Sequence, residues 1–163
     1  MKKRILAFVL GLGMVLGLAA CGGGSSSSTA STGSGSTSAA DPSDFMVGAI
    51  YINSRNDTAG YTYAHHNGIT TAMEELGLDP ETQLSIVDNV PEEYDQVASA
   101  VDTLVGNGCD IIFGISFGYM QAMADKAEDY PDVIFSHATG YMSNETNFNN
   151  YFGRAYQARY LAG

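Results

Sequence analysis

Positively charged side chains are scarce in this chain of 163 residues. Seven Lys and Arg side chains oppose 18 Asp and Glu side chains, which gives a formal net charge of −11. Three of the seven cations, Lys2, Lys3 and Arg4, stand at the very start of the sequence. Nucleic acids and anionic lipid surfaces are bound through basic surface, so the charge balance argues against both as partners.

Cysteine and metal-ligand patterns are also nearly missing. The chain has two cysteines, and Cys109 leads an apolar run that favours a buried structural thiol over a redox role. His65 and His66 are adjacent, so on a helix they point about 100° apart instead of sharing a face. His137 is expected to be packed or bonded within a loop. No metal site and no cofactor are predicted.

Two phosphate-binding patterns are absent as well. The loop after the first predicted strand lacks the G-x-G-x-x-G fingerprint, and no Walker A sequence occurs anywhere in the chain. A dinucleotide fold would place glycine and phosphate where this chain has Asp57. The sequence therefore does not predict a nucleotide site.

What the sequence does contain begins with a signal pattern. The cations at positions 2–4 precede an apolar stretch, residues 5–18, that is too short to span a bilayer comfortably. Leu18-Ala19-Ala20-Cys21 then resembles a bacterial lipobox, in which a signal peptidase cuts before the cysteine and a diacylglyceryl group is attached to it. We expect residues 1–20 to be removed and Cys21 to be lipidated. The alternative is a secretory signal whose cysteine is incidental.

A low-complexity segment follows the lipobox. Residues 22–40 are almost entirely Gly, Ser, Thr and Ala, a composition that cannot bury enough apolar area to fold. We expect residues 21–44 to form a flexible tether and residues 45–163 to form the folded domain. That domain would then work at the extracytoplasmic face of the cell membrane, held by the lipid anchor on Cys21.

Strands and helices alternate through the rest of the chain. The first strand, at 47–52, is nearly free of charge, as expected of a strand buried on both faces of a parallel sheet. Further strands are predicted at 83–87, 110–113, 133–135 and 148–152, and helices at 59–76, 91–107, 119–130 and 154–161. Alternation with short connections predicts an α/β fold, a Rossmann-like parallel sheet with helices on both faces.

The helix boundaries have their own signals. Apolar side chains at spacings of three and four form the predicted buried face of the first helix: Tyr61, Ala64, Gly68, Ile69, Ala72, Met73 and Leu76. Gly77 is expected to end this helix and Pro80 to prevent its resumption. Pro91 and the two acids after it are expected to open the second helix.

The loops that follow the strands are the most polar and aromatic connections of the chain. In a parallel sheet they all emerge at the carboxyl edge, where open α/β sheets bind ligands. Loops 53–61, 88–91, 114–119 and 137–141 should therefore lie near one another. They are the candidate binding site.

The first of these loops favours a neutral ligand. Asn53 and Asn56 offer hydrogen-bond donors and acceptors, and Asp57 opposes an anion but suits hydroxyl or amino groups. Tyr61, Phe117 and Tyr119 offer flat faces for a planar ring. The alternative interpretation is that Asn56 and Asp57 cap the helix and that Tyr61 belongs to the core.

Gly114-Ile115-Ser116-Phe117-Gly118 supports a different hypothesis. It matches the G-x-S-x-G nucleophile elbow of α/β-hydrolases, and Asp132 and His137 follow in the order of a catalytic triad. Both follow the very next strand, whereas that fold takes its acid and histidine from much later strands. We therefore prefer Ser116 as a ligand-bonding residue in a tight turn, with a secreted serine hydrolase as the alternative.

Several motifs occur in a fixed order along the chain: Val47-Gly48-Ala49-Ile50-Tyr51, Asp57-x-Ala59-Gly60-Tyr61-Thr62-Tyr63-Ala64-His65, Glu92, Ser116-Phe117-Gly118, Pro131-Asp132-Val133, His137-Ala138-Thr139-Gly140, Tyr151-Phe152-Gly153-Arg154 and Tyr160-Leu161-Ala162-Gly163. Together they resemble the basic membrane protein family, the lipoprotein substrate-binding components of ABC importers for purine nucleosides and nucleobases. The resemblance covers essentially all of residues 45–163. It implies a binding protein and not an enzyme, with ABC permease subunits as partners. A ligand-sensing subunit of the same fold is a further alternative.

The resemblance also implies an architecture and site roles. The fold would be one lobe of a type I periplasmic-binding-protein fold, in which two Rossmann-like lobes close on the ligand. Asp57 would bind a polar edge of the ligand, and Tyr61, where relatives often have tryptophan, would stack on the base. Ser116, Phe117, Thr139 and Gly140 would line the same cleft.

The resemblance carries one further expectation, on the extent of the chain. Residues 160–163 match a motif that the family has inside its first lobe. We accordingly expect this chain to be a fragment without the C-terminal lobe. Such a fragment alone should bind ligand weakly or not at all, and it should expose an apolar cleft wall.

Overall fold

The computed structural model describes residues 42–162. The predicted signal peptide, Cys21 and most of the predicted tether lie outside the described residues. Among the residues described, no helix is long and apolar enough to cross a membrane.

A five-stranded parallel sheet forms the centre of the described chain. The strands are β1 (Val47–Tyr51), β2 (Leu84–Val87), β3 (Ile111–Ile115), β4 (Ile134–Ala138) and β5 (Phe148–Tyr151), in the order β2-β1-β3-β4-β5. Every neighbouring pair is parallel. All five residues of β1 are buried, which confirms the expectation from their apolar, uncharged sequence.

Helices cover both faces of the sheet. The helices are α1 (Gly60–Glu75), α2 (Pro80–Gln83), α3 (Tyr94–Gly106), α4 (Met120–Asp129) and α5 (Ala155–Ala162). One core lies on the side of α3 and α4, where Val97 and Met123 pack with Ile112 of β3. The other lies on the side of α1, where Ile69 and Met73 pack with Tyr51. The predicted α/β fold is thus confirmed.

The predicted apolar face of α1 is only partly buried. Of its seven members, Ile69 and Met73 are buried, whereas the other five are exposed. Three of the exposed residues, Ala64, Gly68 and Ala72, line a groove of about 390 Å³ along α1, whose opposite wall includes Phe113 and Tyr151. Spacing along the sequence correctly identified an apolar stripe but could not show how much of it another element covers.

Two proline predictions need correction. Pro80 does not merely prevent a helix: it opens α2, in which the Asp79 side chain accepts a hydrogen bond from the Glu81 amide at 3.0 Å. Proline at the first helical position lacks only a donor that would be unsatisfied there. Conversely, α3 begins at Tyr94 and not at Pro91, because the backbone of Glu93 is extended.

Two strands end later in the chain than predicted. Strand β3 continues through Ile115 and β4 through Ala138, so the loops that follow begin at Ser116 and Thr139. At the other end of the described chain, Pro42–Asp44 form a 3-10 turn within the segment predicted to be tether. The buried Gln83 side chain donates to the carbonyls of Pro42 and Phe45, at 2.7 and 2.8 Å. These bonds join the turn to the domain.

Cys109 lies in the core between α3 and the sheet. Its side chain is buried, and a Cβ built on Gly48 of β1 would lie 3.1 Å from its sulfur. Burial and the neighbouring Asp110 raise the pKa of the Cys109 thiol to about 11. The thiol is therefore protonated at neutral pH, as expected of a structural cysteine.

Candidate functional site

The sheet register brings the predicted loops to one edge. Tyr51 pairs with Ile115, Gly114 with His137, and Ala138 with Tyr151, so the carboxyl ends of four strands are nearly level. The loops after these strands therefore emerge side by side. The expected gathering of polar and aromatic connections at the carboxyl edge is confirmed.

The loop after β1 is fixed to the loop after β2 through Arg55. Its amide donates to the Asp88 carboxylate at 2.8 Å, and its guanidinium donates to the Ile86 carbonyl at 2.6 Å. The bond from the Arg55 amide, with the guanidinium charge, lowers the pKa of Asp88. Asp88 is thus a structural acid that shapes the rim of the site.

Asn53, Asn56 and Asp57 stand on this fixed loop with their side chains uncommitted. Within residues 42–162 none of the three side chains makes a hydrogen bond. The residue before α1 is Ala59, which provides no capping side chain. The capping alternative for Asn56 and Asp57 is therefore wrong, and their polar groups remain accessible to a ligand.

Tyr61 lies at the start of α1 and is 42% exposed, so it is not a core residue. Its ring contacts His65 edge-on, with centroids 4.5 Å apart, and His65 in turn contacts Tyr151. A hydrogen bond of 3.1 Å joins the Tyr151 hydroxyl to His65 Nδ1. Burial lowers the pKa of His65, so the imidazole beside Tyr61 is neutral at neutral pH.

A second tyrosine and histidine pair lies next to the first. The hydroxyl of the buried Tyr51 is 3.0 Å from Nδ1 of His66. The adjacent histidines thus bond two different strand-end tyrosines, one on β1 and one on β5. No signal in the sequence pointed to these pairings, because both depend on how α1 packs on the sheet, and that of His65 with Tyr151 also depends on the strand order.

The turn after β3, which we call the elbow, comprises Ser116 and the 3-10 turn Phe117–Tyr119. Ser116 Oγ donates to Glu92 Oε1, and the Gly118 amide donates to the same oxygen at 2.8 Å. These two bonds lower the pKa of Glu92, the serine bond being the larger cause. The sequence placed Glu92 in a motif but assigned it no role in the site.

These contacts do not form a hydrolase triad. His137 Nε2 bonds the Ser116 backbone carbonyl at 2.7 Å, and the hydroxyl of Ser116 is directed to Glu92 instead. Asp132 precedes β4 and so lies at the opposite, amino edge of the sheet. Ser116 therefore has neither the base nor the acid that the G-x-S-x-G hypothesis requires.

Thr139 and Gly140 follow β4 with an unusual backbone. Thr139 has φ of +66°, a left-handed conformation that a β-branched residue rarely adopts, and its amide donates to the Tyr151 carbonyl at 2.8 Å. At Gly140, a Cβ would lie 2.1 Å from His137 Nδ1. The structure therefore requires glycine at position 140 for close packing on His137.

Two aromatic rings are exposed beside the elbow. Phe117 is 56% and Tyr141 76% exposed, and their ring centroids are 6.4 Å apart. Large exposed rings on an otherwise packed edge are typical of binding surfaces. Tyr141 lies in the predicted loop 137–141 but was not singled out as a ligand-binding residue.

Known proteins resemble this chain at the family level. Residues 45–163 match the Bmp family, described as PnrA-like ABC transporter substrate-binding proteins. A purine-binding protein of Brucella abortus is 38% identical over 117 residues, 72% of this chain and 32% of that protein. A Haloferax volcanii protein named as an ABC transporter glucose-binding protein is 37% identical over 116 residues, 70% of this chain and 27% of that protein. The chain thus spans about a third or less of their length.

Solved structures show the same fold at lower identity. An ABC transporter solute-binding protein from Conexibacter woesei superposes with a TM-score of 0.51 at 18% identity, covering 66% of this chain and 35% of that one. A transcriptional activator of the comK gene from Bacillus halodurans superposes with a TM-score of 0.52 at 21% identity, covering 64% of this chain and 33% of that one. The family match over residues 45–163 shows that the chain belongs to the PnrA-like ABC transporter substrate-binding proteins.

Proposed function

We propose that this chain binds a purine nucleoside or nucleobase for import by an ABC permease. The observation that carries the proposal is the composition of the carboxyl edge. The exposed rings of Tyr61 and Phe117 lie at the same edge as the uncommitted polar side chains of Asn53 and Asp57. Rings can stack on a planar base, and the polar groups can bond its edge or a ribose hydroxyl.

The charge of the site favours a nucleoside over a nucleotide. Asp57 stands on the loop where a phosphate would have to sit, and the neighbouring Asp88 is ion-paired with Arg55. The purine-binding relative supports the same ligand class. The glucose-binding name of another relative makes a sugar the proper comparison in any test.

Ligand-observed NMR tests the proposal because it detects weak binding. Saturation-transfer difference spectra would be recorded with adenosine, guanosine, adenine and glucose. We expect transfer to the purine protons, and we expect Phe117→Ala to reduce it. Tyr63→Ala is the matched control, because Tyr63 is a partly exposed aromatic of α1 outside the proposed site. Transfer to glucose alone, or to none of the four compounds, would contradict the proposal.

We further propose that the protein is held at the extracytoplasmic face of the cell membrane by lipid on Cys21. The lipobox-like Leu18-Ala19-Ala20-Cys21 supports this. In a bacterial host, Cys21→Ser should move the protein from the membrane fraction to the soluble fraction, whereas Cys109→Ser should not. Equal partition of the two variants would contradict the anchor.

A further inference from the structure

One distant carboxylate bonds the elbow on both sides of Phe117. Glu92 lies in the connection between β2 and α3, and its Oε1 accepts from Ser116 Oγ and from the Gly118 amide. Ser116 and Gly118 follow Glu92 by 24 and 26 positions along the chain. The sheet brings these loops near one another, and the carboxylate joins them.

The packing at this contact is close. A Cβ on Gly118 would lie 2.6 Å from the Cβ of Glu92, so the glutamate side chain lies directly on the glycine backbone. Beyond it, the buried Tyr119 hydroxyl donates to the Val90 carbonyl at 2.5 Å. The elbow is therefore held to the β2–α3 connection at three points, while the Phe117 ring between them is exposed.

We propose that Glu92 is a positioning residue for the ligand site. By fixing the backbone before and after Phe117, it keeps the ring presented at the carboxyl edge, where the planar part of the ligand stacks. The role of the ring rests on the function proposed above, whereas the restraint on Phe117 does not. A ring that is already fixed loses less conformational entropy when the ligand binds, so the restraint favours affinity.

The absence of tryptophan provides a direct test of the restraint. The chain contains no Trp, so Phe117→Trp introduces a single fluorescent indole at the position concerned. In that background we would compare Glu92→Ala, Glu92→Gln and Glu93→Ala. Glu93 is the matched control, since it precedes α3 and makes no side-chain capping bond. Steady-state anisotropy and acrylamide quenching report the mobility and exposure of the introduced indole.

Glu92→Ala should lower the anisotropy of the indole and increase its quenching, whereas Glu93→Ala should change neither. Glu92→Gln keeps an oxygen at the bonding position and should retain most of the restraint. If Glu92→Ala does not fold by circular dichroism, Ser116→Ala removes one of the two bonds and should give an intermediate increase in mobility. Anisotropy equal to that of the Glu93→Ala control in the folded variants would overturn the proposal.

A second experiment measures adenosine binding to variants that retain Phe117. A Phe117 ring that is no longer fixed must be ordered when the ligand binds, which corresponds to a loss of affinity of up to about tenfold; we expect this loss for Glu92→Ala but not for Glu93→Ala. If the unaltered chain bound no adenosine, the proposed function would be contradicted. The anisotropy and quenching of the indole would still test the restraint on Phe117. If adenosine bound equally well to Glu92→Ala although the indole had become mobile in the reporter background, the positioning role itself would be overturned.

Discussion

At the scale of single residues, the site depends on a few positions where close packing permits one side chain only. Gly140 is the clearest case. Its backbone lies against the buried His137 ring, so an added methyl group collides with the imidazole. The requirement for glycine at this position therefore arises from packing beneath the site, and contact with a ligand is not needed to explain it.

Gly140→Ala should accordingly lower the free energy of unfolding by about 1–3 kcal/mol, the usual cost of overpacking. Gly68→Ala is the matched control. Gly68 lies within α1 and has open space around its Cβ position, so alanine should raise stability there by about 0.5–1 kcal/mol. Urea unfolding followed by circular dichroism measures both changes. Equal stability of the two variants would contradict the packing explanation.

Glu92 should make stability depend on pH. Because its pKa is lowered in the folded protein, its stabilising contribution is complete above its ordinary pKa of 4.5 and is lost as the pH falls through the folded value. Urea midpoints measured from neutral to acidic pH should therefore decline less steeply below the ordinary pKa in Glu92→Gln than in the unaltered chain. The Glu93→Ala control should follow the unaltered chain, and parallel curves for all three would contradict the assignment.

At the scale of elements, two short segments are joined by a single side chain. Helix α2 has only four residues, yet its Gln83 side chain bonds the carbonyls of Pro42 and Phe45 and also accepts from the Asp79 amide at 2.8 Å. One amide group thus joins α2 to the turn that precedes β1. The element is stabilised by this contact and not by its own length.

Gln83→Leu should remove the bonds to the carbonyls of Pro42 and Phe45 and to the Asp79 amide, and lower the free energy of unfolding by about 2 kcal/mol. Hydrogen exchange should rise at Phe45, whose amide bonds the Pro42 carbonyl at 3.3 Å. Glu81→Leu, an exposed change on the same helix, is the control and should alter neither quantity. Unchanged exchange at Phe45 in Gln83→Leu would contradict the proposed linkage.

The strands and the longer helices could be predicted from the sequence, because their signals are local, whereas the four-residue helix α2 was missed. The uncharged run of β1 and the three- and four-residue spacing in α1 depend only on neighbouring residues. The bonds of the site could not be predicted in the same way. Glu92 with Ser116, and His65 with Tyr151, join residues 24 and 86 positions apart, and their pairing depends on strand order. The predicted ligand roles of Asn53, Asp57 and Tyr61 stay predictions.

At the scale of the whole molecule, acidic side chains greatly outnumber basic ones. Of the cations in residues 42–162, Arg55 and Lys126 are each bound to acids, Arg55 to Asp88 and Lys126 to Asp102 and Asp129. The formal net charge of −11 leaves the remaining acids to repel one another. Such repulsion opposes the compact state and disfavours aggregation.

Salt should therefore stabilise the fold. Raising NaCl from about 10 mM to about 150 mM shortens the Debye length from about 30 Å to about 8 Å, so repulsion is screened and the thermal midpoint should rise. Choline chloride at equal ionic strength should act alike, whereas sucrose at matched osmolality controls for solute exclusion. A midpoint that falls with salt would show that the ion pairs outweigh the repulsion.

The buried thiol of Cys109 has a consequence for kinetics. A thiol reagent can reach the sulfur only when α3 separates from the sheet, and the protonated thiol does not react while it is enclosed. In a Cys21→Ser background, the rate of Cys109 labelling would thus measure how often the core opens, whether by local or by complete unfolding. Labelling of Cys109 would therefore report opening events of the domain that carries the site.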